Sequence, residues 1–75
     1  MVKQVLNAEE YARGVAVARD AYGRDPDIEE VIATMKRAGF NVIESIKGLM
    51  EVTGKPLAEA QPLVHFSRSY PELHQ

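Results

Sequence analysis

The run from Ala38 to Val64, AGFNVIESIKGLMEVTGKPLAEAQPLV, constrains the fold more than any other part of the chain. It spells out two short helices and the joint between them. Asn41 and Glu44 have the N-x-x-E spacing of a capping box, in which each residue satisfies a backbone N–H at the start of a helix. Gly54 is free to take the left-handed conformation that closes such a helix, and Pro56 sits where a following helix would take its first turn. Between these signals, Val42, Ile43, Ile46, Leu49, Met50 and Thr53 fall on one broad apolar face, with Glu44, Lys47 and Glu51 opposite. Ser45, Gly48 and Val52 make a stripe of mostly small groups, which lets another element come close. The simpler account of that stripe is a crossing within the molecule by the first or last helix; the alternative is a second contact surface.

Similar punctuation precedes this pair. Asn7 and Glu10 form another N-x-x-E signal, and Tyr11, Val15, Ala18 and Tyr22 then recur on one helical face that ends near Gly23. Gly14 inside this stretch reads as a tolerated defect costing about 1 kcal/mol relative to Ala, the alternative being the close approach of another backbone. Asp25 and Pro26 are expected to cap and open a second helix. Asp27, Glu29 and Glu30 lie at its positive end, Lys36 and Arg37 at its negative end, and Gly39 stops it. Its core stripe is Ile28, Val31, Ile32, Met35 and Ala38. The last helix carries Leu57, Ala60, Leu63 and Val64 inward, and Pro62 is expected to kink it or split it into two short turns. Residues 1–6 read as a lead-in in which Val2, Val5 and Leu6 tuck under the bundle, Leu6 acting as the apolar staple before the Asn7 cap. An edge strand over Met1 to Leu6 is the alternative. The tail, 67–75, has capping-box spacing at Ser69 and Glu72, and is expected to fray or to be held by Tyr70 and Leu73. The expectation is one all-α domain over 1–75, a bundle of three to four short helices, with a dimer as a further option.

Length and composition narrow the function. A chain of 75 residues has little interior for a buried active site, and the absence of cysteine removes disulfides, thiolate zinc sites and thiol catalysis. The N-terminus lacks the pattern of a signal peptide, and no apolar run approaches the ~20 residues that span a bilayer, so a cytoplasmic protein is expected. A net charge of −2 with interspersed signs steers neither nucleic acid nor an anionic membrane to the surface. His65 and His74 have no ligand set around them, and His65 reads as a partly exposed structural residue. Ser67 and Ser69 near His65 lack an orienting third group and an oxyanion hole. Glu44, Glu51 and Glu59 suit solvated helix faces, and no phosphate-binding glycine loop is present. Neither metal nor cofactor is expected. The second and third helices with the Gly39-Phe40 turn have the outline of a helix-turn-helix, but the outward groups Glu44, Lys47 and Glu51 are net acidic, which disfavours DNA. Lys36, Arg37 and Lys47 offer at most a small basic spot.

Ala38, Gly39, Asn41, Ile46, Lys47, Thr53, Gly54, Leu57, Glu59, Ala60, Leu63 and Val64 together resemble the helical hairpin in the C-terminal domain of the bacterial ribosomal stalk protein. That hairpin has the form AG-x-N-x-x-x-x-IK-x-x-x-x-x-TG-x-x-L-x-EA-x-x-LV. The likeness runs without gaps from about Val31 to Ser67, and Ile46-Lys47-Gly48-Leu49 through Thr53-Gly54 is also similar to the opening helices of elongation factor Ts. Both families use the hairpin to touch translational GTPases, so the resemblance implies a protein-docking surface on the third and fourth helices. Of the stalk family's basic contact positions only Lys47 is kept, with Val42, Met50 and Gln61 at the others. The stalk domain also surrounds its hairpin with a three-stranded sheet, whereas two capped helices precede it here. The expected function is therefore a non-enzymatic interaction module whose protein-binding surface includes Lys47, Gly48, Met50, Glu51 and Gln61. A DNA-binding regulator and a homodimeric accessory protein, joined through the Gly48 stripe or the first helix, are the alternatives.

Overall fold

The computed structural model describes residues 6–71, which form four α-helices and no strand. These are α1 (Ala8–Arg24), α2 (Ile28–Arg37), α3 (Val42–Thr53) and α4 (Leu57–His65). The expectations for Met1, Val2, Val5, Glu72, Leu73 and His74 lie outside the described residues.

Local chemistry sets most of the helix ends. Asn7 and Asn41 each build the complete reciprocal capping box with Glu10 and Glu44. The second start differs from expectation. Asp27 is the cap, its side chain accepting from the N–H of Glu29, while Asp25 closes α1 by donating its own N–H to Ala21. Moving the cap two residues on places Pro26 between the helices, where its missing N–H costs no helical bond. The end of α2 is a Schellman turn: the N–H of Gly39 bonds Lys36 and that of Phe40 bonds Met35, with Gly39 at φ 94°. Gly54, at φ 76°, ends α3 through one bond to the Met50 carbonyl. The last helix is one continuous element from Leu57 to His65 rather than two turns. Ala58 and Pro62 are both exposed, so water can serve the carbonyl that Pro62 leaves without a donor.

One core draws on every helix: Val15 and Ala18 from α1, Val31, Ile32 and Met35 from α2, Ile46 and Leu49 from α3, Ala60 and Val64 from α4, joined by Phe40 and Tyr70. The Phe40 ring lies between α1 and α3. A Cβ at Gly14 would stand 2.3 Å from its Cε1, and one at Gly48 would stand 3.0 Å from its Cε2. Gly14 is therefore a seat for an aromatic ring, not a tolerated defect. At Gly48 the small-residue stripe of α3 likewise admits groups of the same chain, the side chains of Met35 on α2 and of Phe40 just after it, while α1 and α4 both pack against α3. Tyr11 stacks on Phe40 with ring centroids 5.1 Å apart. Tyr70 holds the start of the tail as expected: its hydroxyl donates to the Phe40 carbonyl at 2.9 Å and accepts from Ser45 at 2.7 Å.

Four residues assigned to the core stripes lie outside it. Ala38 is exposed, and Ile43 and Leu57 keep 64% and 53% of their surface in water. Thr53 is half-buried, its hydroxyl donating to the Leu49 carbonyl. Glu44, expected on the solvated face, is buried instead.

Candidate docking groove

The first turns of α1 and α3 lie side by side, and the link between them is Glu44. One carboxylate oxygen, Oε1, accepts the N–H of Asn41 at 2.9 Å, and the other, Oε2, accepts the N–H of Leu6 at 3.0 Å. Burial of this carboxylate is thus matched by two backbone donors. Leu6 lies against the core just ahead of the Asn7 cap. Beside this clasp a groove of about 560 Å³ opens, lined by Leu6, Ala8, Tyr11, Asn41, Ile43, Glu44 and Lys47.

Its walls combine apolar surface with polar groups that are mostly committed. The Tyr11 hydroxyl donates to Glu51 Oε2 at 2.8 Å. Burial, then the bond to Glu51, then the negative charges of Glu51 and Glu44 hold that phenol well above its ordinary ionisation range, so it stays a neutral donor. The Lys47 ammonium stands 5.6 Å from the centre of the Tyr11 ring, in cation–π range. Among the described residues no carboxylate forms an ion pair with it.

Of the residues expected to meet a partner, Lys47 is exposed at the groove and Glu51 is exposed beyond it, tied to Tyr11 and, through its carbonyl, to Arg19 at 3.4 Å. Gly48 is buried under Met35 and Phe40, and Met50 is half-buried against the core. Gln61 is exposed on α4, away from the groove lining. The basic spot is dispersed. Lys36 donates to the Ser69 carbonyl and lies over the Tyr70 ring, while Arg37 bonds Glu30 and Thr34. His65 is exposed and meets Phe66 edge-on; Ser67 is buried, its hydroxyl donating to Glu29 at 2.8 Å. Among the described residues no three His, Cys, Asp or Glu side chains gather as metal ligands, and no helix is long and apolar enough to cross a membrane.

No protein family, curated protein or solved structure matches the chain. The groove must accordingly be read from its own chemistry. Sequence patterning missed Leu6, Tyr11 and Ile43 as its walls. No signal in the pattern set Ile43 apart, since the adjacent Val31 and Ile32 of α2 are both buried in the core.

Proposed function

We propose that this chain is a non-enzymatic protein-interaction module, with a protein partner seated in the groove between the first turns of α1 and α3. Ile43 carries the reading: it is a large aliphatic side chain 64% exposed beside the half-buried Leu6 and Tyr11. Covering such a side chain contributes on the order of 1–2 kcal/mol of association energy, and aliphatic anchors beside an aromatic wall are where interfaces concentrate it. The likeness to the ribosomal stalk hairpin supports the same class of function. Because Gly48 is buried and Met50 half-buried, the proposed surface is centred on α1 and the start of α3, with Lys47 shared between the two readings.

The test is affinity capture from native lysate with matched surface variants. Ile43→Asp should leave the far-UV circular dichroism unchanged and lose the captured partner, whereas Leu57→Asp on exposed α4 should retain it. Equal capture by both variants would contradict the proposed groove.

A further inference from the structure

Independently of the groove, we infer that the outer face of α1 pairs with the same face of a second copy of this chain, antiparallel, about a two-fold axis that passes between Ala16 and Val17. Glu9, Arg13, the Ala16–Val17 pair, Asp20 and Arg24 follow one another at steps of three or four residues, and so share one stripe along the helix, away from the core-facing Val15 and Ala18. Every member of the stripe is exposed. Val17 keeps 54% of its surface in water, beside a depression of about 330 Å³ whose walls include Arg13, Gly14 and Ala38. The order of signs along the stripe selects the occupant. Glu9 and Arg24 lie equally far on either side of the point between Ala16 and Val17, and so do Arg13 and Asp20. Turning a second helix end for end about that point sets Arg13 level with Asp20 of the second copy and Glu9 level with its Arg24, while Ala16 and Val17 meet their own equivalents.

A parallel pairing fails on charge, since it would set Arg13 against Arg13 and Glu9 against Glu9. The other charged groups beside the stripe do not oppose the antiparallel match. Glu10, which accepts the N–H of Asn7 in the α1 cap, comes level with Gly23 and Arg24 of the second copy, and Arg19 points off the stripe to the Glu51 carbonyl. Within one copy Arg13 pairs with Glu9 at 3.3 Å and Arg24 with Asp20 at 2.7 Å. Contact across the two-fold keeps these pairs and gives each arginine a second carboxylate. Exposed ion pairs contribute little energy, so the signs set direction and register, while covering Val17 and the close approach at Ala16 supply the attraction. The 17 residues of α1 span about 25 Å, a short seam, so the dimer is a weak one with Kd on the order of 100 μM. Tyr11, the α1 wall of the groove, packs inward on Phe40, on the opposite side of the helix, so the dimer leaves both grooves uncovered.

The experiment measures the full chain by sedimentation equilibrium at concentrations up to about 1 mM, where a reversible dimer should appear. Arg13→Glu and Asp20→Arg should each weaken it by about ten-fold or more, and the two together should bring it back to within a factor of ~3 of the wild type. The double variant breaks both ion pairs within the helix, so recovery can come only from pairing across copies. Because the chain has no cysteine, single-cysteine variants report the geometry and keep the test usable should a charge reversal disturb folding. Val17→Cys should give a disulfide-linked dimer under mild oxidation, whereas Glu9→Cys should not, its two equivalents standing about 22 Å apart. Ile43→Asp should leave the dimer unchanged, which separates this seam from the groove. A chain that stays monomeric, equal crosslinking from positions 9 and 17, or a double variant no better than the singles would overturn the inference and leave the groove reading standing. Loss of the dimer in Ile43→Asp would place the contact at the groove and overturn the α1 seam.

Discussion

Phe40 is gripped along opposite edges by two glycines of different helices, and these two positions respond differently to a methyl group. At Gly14 the added Cβ would meet Cε1 and Cζ of the ring at 2.3 and 2.7 Å, and the ring has Tyr11 stacked on one face. Gly14→Ala should therefore destabilise the protein by about 1–3 kcal/mol even though alanine gains roughly 1 kcal/mol in helix propensity. At Gly48 the closest atom, 2.7 Å away, is the Met35 sulfur near the end of an adaptable side chain, so Gly48→Ala should cost less. Urea unfolding midpoints would show the order, and a Gly14→Ala variant as stable as the wild type would refute it. Tyr11 gives a second prediction at this scale. Its phenol is held above the ordinary range in the folded chain, so above a pH of about 10 the unfolded state loses the proton first. The folded state then binds more protons, and stability falls as pH rises. Tyr11→Phe removes this contribution and should flatten the alkaline decline in urea midpoint; identical alkaline slopes would count against it.

The helix ends were the most legible elements, because a cap needs only neighbours in the chain. Both capping boxes, the Gly39 and Gly54 stops and the limits Val42–Thr53 follow from side chains within a few residues of each end. What could not be read locally was decided by distant packing. Spacing placed Glu44 on a solvated face, yet the N–H of Leu6, brought there by the α1–α3 crossing, buries it. Phe40 looked like a turn residue, and became core because the Schellman turn folds it back beside Met35, where both reach Gly48. The cap expected at Asp25 falls at Asp27 instead, because α1 runs on to Arg24 and takes Asp25 for its own end. Because Glu44 joins the starts of two elements, Glu44→Ala strands two backbone donors and should cost about 1–3 kcal/mol. Glu44→Gln keeps the capping-box oxygen and should cost less. Thermal unfolding of the two variants distinguishes this clasp from a surface carboxylate, for which both losses would be negligible.

At the scale of the molecule, four helices close one core around Phe40 and leave the groove between α1 and α3 uncovered. The candidate site was legible only in part, since Lys47 came from the resemblance to the stalk hairpin while its neighbours Leu6 and Tyr11 arrive from the far end of the chain. All buried side-chain nitrogen and oxygen atoms of the described residues have hydrogen-bond partners, so the interior calls for no ligand to complete it. Of the exposed large apolar side chains Val17, Ile43, Leu57 and Phe66, Ile43 is the one that lines this groove, beside the ammonium of Lys47. The most direct test places a photo-crosslinking benzophenone side chain at position 43 of the full chain in its native lysate. The account predicts a covalent adduct with a distinct protein, lost in the Lys47→Glu background and absent when the probe sits at exposed Arg24. Equal labelling of that protein from positions 43 and 24, or none from 43, would contradict it.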